Sequence, residues 1–377
     1  MSTSKKFRFG VCIDDAWTYA GLRPPKSIII PHLLQVTLPQ GPFSVDFGGK
    51  RSAQELKLKE SHPDLSTVAL FDLPDAERRE VTRLLSKNLA RRLKDNRVNF
   101  VRCWFQWNLF QPRIAAGRAQ SFRFPLDDFV KVLHDSSINI IGVLGNGYYR
   151  FLPMGLDIDK PEVYLARLAE SSREIVRHYR GKISMWQLEN EPNWWVEHFA
   201  SDWRRGGIWL TKNLQDLILS ELCAIVREED RGSQTMINLE SDNNPSAFAK
   251  SYSKYSDVIG LDFYPNYASA SPITVSELSR KVDAVRPEGK PIMITETGYP
   301  SGPSLFGYSP DKQAEYVNSI CEKAYSIDAV TSLGMWRLSD PYWLSFPFQE
   351  NSFGLIDRRG RPKPAWNEYL RQAKEKS

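Results

Sequence analysis

Eight short apolar runs, each followed by a stretch with helical periodicity, alternate along most of the chain, and this alternation constrains the fold more than any other feature. The runs are Arg8 to Ile13, Asn99 to Trp104, Ile138 to Leu144, Ile183 to Asn190, Thr235 to Glu240, Val258 to Phe263, Pro291 to Glu296 and Ser332 to Trp336. Most lack polar alternation, as strands buried on both faces do, which predicts a parallel sheet. Helical patterns fall near 75–95, 125–136, 160–180, 208–229, 244–255, 273–286, 309–327 and 364–375, and Ser309-Pro310 and Asp159-Lys160-Pro161 read as helix starts. Eight βα units close into a barrel more economically than they extend an open sheet. The sequence therefore predicts an α/β fold, a (β/α)8 TIM barrel, with residues 1–377 as a single domain. No G-x-G-x-x-G turn follows the first strand, which weighs against a dinucleotide-binding sheet.

At 377 residues the chain is long for one domain, and two departures from the repeat account for the excess. Residues 18–72 hold Ser27-Ile-Ile-Ile30, His32 to Leu38 and Phe43 to Phe47 between Pro and Gly, predicting a long β-rich insertion after strand one. Residues 337–361, with Tyr342, Trp343, Phe346 and Phe348, predict an aromatic loop after strand eight.

The net charge of +5 is a diffuse excess of 50 basic over 45 acidic residues, and the densest basic run, Arg78 through Arg92, falls on a helical pattern. A solvated helix face is the expectation there, and no nucleic-acid partner is expected. Apolar runs of about 18 residues are missing, so no membrane span is expected. The first residues carry charge without the apolar stretch of a leader, which points to a cytoplasmic protein, or a secreted one if a leader was trimmed. Cys12, Cys103, Cys223 and Cys321 are widely spaced, and the five histidines form no H-E-x-x-H. Neither a metal nor an organic cofactor is expected.

Two carboxylates stand out. Glu191 ends Ile183-Ser-Met-Trp-Gln-Leu-Glu-Asn-Glu191-Pro192, and Glu296 ends Pro291-Ile-Met-Ile-Thr-Glu296 before Thr297-Gly298. Both sit where a parallel barrel presents catalytic groups, at the C-terminal rim. Cleaving a glycosidic bond with retention needs a carboxylic acid to protonate the leaving oxygen and a carboxylate to attack the anomeric carbon, roughly 5–5.5 Å apart. Strands four and seven face each other across a barrel, so two glutamates remote in sequence can meet. Pro192, lacking an N–H, is expected to end the ladder and hold Glu191 extended. Asn190 and Glu191 can then both reach the mouth only if the strand twists or bulges. Either glutamate taken alone reads more simply as a helix-cap neighbour or a salt-bridge member, and it is the pair in matching contexts on strands four and seven that favours chemistry.

With these motifs the chain resembles clan A of the glycoside hydrolases, the retaining (β/α)8 glycosidases. Asn190-Glu191-Pro192 is similar to the clan's acid/base motif and Ile294-Thr-Glu296-Thr-Gly298 to its nucleophile strand. Val101-Arg102, Gly260-Leu-Asp-Phe-Tyr264-Pro, Trp336 and the tail Phe353 to Trp366 match as well, whereas Gln111-Pro112 stands where many members have Glu-Pro. The resemblance implies a carbohydrate substrate, Glu191 as general acid with its pKa raised by its anionic neighbour, and Glu296 as an ionised nucleophile beside Arg102 and the Tyr264 hydroxyl. It further implies that Asn190 donates to the sugar 2-hydroxyl and that Trp336 floors the glycone subsite.

Aromatic rings suit the C–H-rich faces of sugars, and Trp104 and Trp194 join Trp336 as candidate platforms, with Asn146 after strand three as a further candidate contact. Ordinary core packing is the competing account of any one tryptophan. Arg113, Arg150, Arg204, Arg205 and Arg337 in rim loops would suit an anionic sugar, though solvated loop charges are the favoured account of them. The reading is a retaining glycoside hydrolase acting on a β-linked sugar. Its alternatives are a transglycosylase using the same two glutamates and a non-catalytic carbohydrate-binding barrel.

Overall fold

In a computed structural model the described residues are 6–13, 16–20, 74–114, 122–144, 152–156, 160–199, 212–341, 348–357 and 360–377. Eight parallel strands close in sequence order: β1 (Arg8–Ile13), β2 (Phe100–Trp104), β3 (Asn139–Val143), β4 (Met185–Gln187), β5 (Gln234–Glu240), β6 (Val258–Phe263), β7 (Ile292–Thr297) and β8 (Val330–Met335), with β8 pairing back onto β1. The (β/α)8 barrel expected from the alternation is the observed architecture. All but residues 18–20 of the expected β-rich insertion, which are helical, together with Asn146 and most of the aromatic loop, including Tyr342, Trp343 and Phe346, lie outside the described residues.

Helices cover the barrel between strands: α1 (Ala16–Ala20), α2 (Asp75–Asp95), α3 (Trp107–Phe110), α4 (Asp127–Asp135), α5 (Pro161–His178), α6 (Pro192–Phe199), α7 (Lys212–Glu229), α8 (Pro245–Tyr252), α9 (Leu278–Val285), α10 (Pro310–Ser326) and α11 (Pro364–Lys376). The start of α10 follows its sequence signal: Ser309 caps it, Oγ accepting the Lys312 N–H at 3.2 Å, and Pro310 takes the first position, where a missing N–H costs nothing. The basic run lies on α2, where Arg78 pairs with Asp75 and Arg83 with Glu80 one turn back. Helix α11 closes the circle, its buried Tyr369 hydroxyl donating to the Gly10 carbonyl at 2.5 Å, beside the β1–β8 seam. Among the described residues no helix is long and apolar enough to cross a membrane.

The interior of the barrel is graded along its axis. Phe100, Ile141, Met185, Met236, Val258 and Met293, one from each of six strands, form a buried apolar layer near the strand starts. Two residues further along, the side chains are Arg102 on β2, Gln187 on β4, Asn238 on β5 and Thr295 on β7, all buried and polar. Glycine makes room for the bulk between: a Cβ at Gly10 would stand 2.2 Å from the Phe100 ring, and one at Gly260 would stand 2.7 Å from the Thr295 methyl. Placing polar groups inside costs several kcal/mol each unless they bond to one another. The polar layer is therefore a connected network, and it lies at the C-terminal end.

Candidate active site

Arg102 organises the network. The guanidinium is fully buried and uses all its edges: Nε donates to Gln187 Oε1 at 2.6 Å, Nη1 to Glu296 Oε1 at 2.5 Å and Nη2 to Asn190 Oδ1 at 2.8 Å. Burial works against its charge, but the neighbouring carboxylates, Glu296 first, outweigh that and keep it cationic. Glu296 Oε2 accepts the Tyr264 hydroxyl at 2.7 Å, so each of its oxygens holds a donor. Tyr264 is kept a neutral phenol by burial and then by the charge of Glu296.

Glu296 reaches this position through a β-bulge. Between β6 and β7 the register passes from Leu261–Ile294 to Asp262–Glu296, leaving Thr295 as the extra residue. Thr295 Oγ1 donates to Asp262 Oδ1 at 2.6 Å while Glu296 bonds to Arg102 and Tyr264, so two consecutive side chains of β7 serve one polar layer. A regular strand would send them to opposite faces.

On the other side of the barrel the outcome differs from the expectation. Strand β4 ends at Gln187, short of Asn190, and Glu191 is not extended: its φ is 47°, in the left-handed region. Pro192 opens α6 as the first helical residue, and the Trp195 N–H reaches the Glu191 carbonyl at 3.4 Å. The preference of a residue before proline for extended backbone is overridden by a remote contact, because Asn238 Oδ1 takes the Glu191 N–H at 2.9 Å. A left-handed residue before a helix-opening proline recurs at Asn244-Pro245, where Asn244 has φ 48° before α8. A side chain with a Cβ pays about 1–2 kcal/mol for this conformation. Glu191→Gly should accordingly be more stable than Glu191→Ala by ~1 kcal/mol in urea denaturation, since both remove the carboxyl and only glycine relieves the backbone. Equal midpoints would show that the turn carries no strain.

Asn190 is oriented unambiguously. Its Oδ1 accepts from Arg102 at 2.8 Å, Gln187 Nε2 at 3.2 Å and Asn238 Nδ2 at 3.2 Å, which leaves the amide Nδ2 as the end free for a ligand among the described residues. Glu189 is 2% exposed and accepts the Asn190 N–H at 2.9 Å.

Burial holds the Glu191 carboxyl well above the usual carboxylate range, and Asp262, Glu296 and Glu240 push it the same way, in that order. The expected direction is right, but the expected cause is incomplete: loss of water comes first, and Asp262 precedes Glu296. The motif that contains Asp262 assigns it no role, and Gln187, Asn238 and Glu240 are not among the residues that the motifs single out. The available signal is a polar residue at or within two positions of a strand end inside an otherwise apolar run.

The tryptophans divide. Trp336 is partly exposed just beyond β8, with the Arg337 guanidinium 5.6 Å from its ring, and Trp194 is partly exposed on α6, edge-on to Trp195 at 4.8 Å. Trp104 does not meet its expectation as a sugar platform: it is 3% exposed and its ring lies 5.5 Å from the Arg102 guanidinium, so it backs the site with almost no surface to offer a ligand. Gln111, standing where a glutamate is frequent, is buried and accepts the Trp107 indole N–H at 2.8 Å, a structural bond. Of the rim arginines, Arg337 is buried and donates to the Ser339 carbonyl, and Arg150, Arg204 and Arg205 lie outside the described residues. No group of three or more His, Cys, Asp or Glu poised for a metal occurs among the described residues.

No family model matches the chain. Endo-1,4-beta-xylanase B of Thermotoga neapolitana is 26% identical over 219 residues, 54% of this chain and 60% of the relative, so the match spans less than two thirds of that protein. Among solved structures, native xylanase 10B from Thermotoga maritima superposes with a TM-score of 0.59 at 20% identity, covering 81% of this chain and 92% of its own. A GH5_18 protein from Bifidobacterium longum subsp. infantis gives 0.62 at 16% identity, covering 99% of this chain and 80% of its own. With the closed barrel and the motifs at the ends of its fourth and seventh strands, the chain thus resembles the clan A glycoside hydrolases in both sequence and fold.

Proposed function

We propose that this protein is a retaining glycoside hydrolase that cleaves a β-linked glycoside by double displacement, with Glu296 as nucleophile and Glu191 as acid/base. The observation that carries the reading is the contrast between two carboxyl groups tied into one network. Glu296 takes a charge-assisted bond from Arg102 and a second bond from Tyr264. Glu191 sits among anions and protein walls that favour its protonated form. Pairs whose surroundings separate their protonation in this way divide acid and nucleophile roles between them.

In the first half-reaction Glu296 attacks the anomeric carbon as Glu191 gives its proton to the departing oxygen. In the second, Glu191 takes a proton from water, whose oxygen displaces Glu296. Asn190 Nδ2 is positioned to donate to the 2-hydroxyl, where a bond strengthens as positive charge develops on the ring. Trp336 supplies the apolar floor. The xylanase relative makes β-1,4-xylan the first polymer to assay, with aryl β-glycosides alongside. Incubation with a 2-deoxy-2-fluoro β-glycosyl fluoride is expected to add one sugar mass to the peptide bearing Glu296. Net inversion of the product's anomeric configuration, followed by NMR, would overturn the reading.

A further inference from the structure

Beside the two glutamates lies a third carboxyl that the scheme above does not use. Asp262, near the end of β6, is in register with Glu240 on β5 and Glu296 on β7, and its side chain is fully buried. Oδ1 accepts the Thr295 hydroxyl at 2.6 Å and Oδ2 accepts Asn238 Nδ2 at 2.6 Å. The cation acting on it, Arg102, directs its donors to Gln187, Glu296, Asn190 and the Cys12 sulfur, and Asp262 has no salt bridge among the described residues. A buried carboxylate with two donors and no cation of its own is costly. Among its other neighbours is the Glu191 carboxyl, within hydrogen-bonding reach. Asn238 joins the two, accepting the Glu191 N–H on one end of its amide and donating to Asp262 from the other.

We propose that Glu191 and Asp262 are an acid–carboxylate pair sharing one proton, with Asp262 the positioning residue that keeps Glu191 loaded as the acid; the catalytic part of this rests on the glycosidase reading. Two carboxyls facing each other with little water do not readily both ionise, so one proton stays on the pair over a wide pH range. Thr295 and Asn238 favour the anionic form of Asp262 and so direct that proton to Glu191. Among the described residues, the titratable and charged groups that act on the pair are Glu240 from β5, Tyr264 after β6, Glu296 from β7, Arg102 from β2 and Cys12 from β1, and Arg102 is the cation of that set. When Glu191 passes its proton to the leaving oxygen, the pair becomes a dianion. That repulsion makes Glu191 a stronger base for the water of the second half-reaction, and the proton taken from water restores the pair.

The test is Asp262→Asn in the full chain, with the Glu191 titration followed by carboxyl carbon-13 NMR without substrate. The Glu191 midpoint is expected to fall by about one pH unit or more. The alkaline limb of kcat/KM on an aryl β-glycoside with a poor leaving group should move to lower pH with it. An unmoved midpoint overturns the pair even if turnover drops, because a purely structural role lowers activity without shifting the titration. Should the variant fold poorly, the wild-type protein decides: Glu191 and Asp262 signals titrating in two linked steps support the pair, and independent single steps overturn it. Because the midpoint is read on the free protein, failure of the wild type to turn over any β-glycoside would count against the glycosidase reading and leave the proton-sharing result standing.

Discussion

Glu296→Ala is expected to lower turnover of an activated aryl β-glycoside by ~10^4–10^6-fold, the scale on which loss of a nucleophile acts when the rest of a catalytic unit is intact. Added azide should restore part of the rate and yield the α-glycosyl azide, identified by NMR, since the small anion enters the space vacated by the carboxylate and attacks the face it served. A β-configured product, or no rescue in a folded variant, would remove Glu296 from the nucleophile role. Folding must be checked alongside, because Arg102 Nη1 loses the oxygen it meets at 2.5 Å. Breaking a buried ion pair from one side costs about 3–5 kcal/mol. Gln187 and Asn190 still accept from Arg102, so the loss should fall toward the lower end of that range. Rescue by azide is itself evidence of an intact site, since an unfolded chain cannot direct the stereochemistry of attack.

The parts of this site that were legible in the sequence are those governed by local pattern. Arg8–Ile13 and Val258–Phe263 appear with the bounds that the apolar runs suggest, because a strand buried on both faces writes its length directly into composition. Arg102, Asn190, Glu191, Tyr264 and Glu296 are joined by hydrogen bonds or packed within one electrostatic cluster, as the motifs imply. What local pattern could not convey were the long-range contacts. The left-handed turn at Glu191 depends on Asn238, and the bulge at Thr295 depends on the register between β6 and β7. The burial of Trp104 over Arg102 likewise follows from barrel closure, which sets which rim aromatics keep a surface. A rule about residues preceding proline describes a dipeptide, and a buried amide holding the backbone N–H can overrule it.

Glu191→Gln should produce the second large effect, with a different signature. For a glycoside with a poor leaving group, loss of proton donation is expected to reduce kcat/KM by ~10^2–10^4-fold. A substrate whose leaving group departs without protonation should lose far less in that step and instead stall at the glycosyl-enzyme, since water has lost its base. Azide should then release the β-glycosyl azide, the configuration opposite to that from Glu296→Ala, because Glu296 still forms the intermediate. Equal losses on both substrates would argue against Glu191 as acid/base. The pH dependence separates the roles further. Burial and neighbouring anions raise the Glu191 pKa in the folded state, so the wild-type kcat/KM falls as pH rises through it, and the variant should lack that limb. The same shift acts on stability: a carboxyl whose folded pKa lies above its unfolded value of about 4.3 favours folding most below that value and loses the benefit as pH rises through the folded pKa. Thermal melts of Glu191→Gln and wild type should therefore diverge in the variant's favour as pH increases from about 4 and stay parallel beyond the folded pKa. A stability gap constant across that range would mean that the protein does not hold this proton, and the assignment of Glu191 as the resting acid would fall with it.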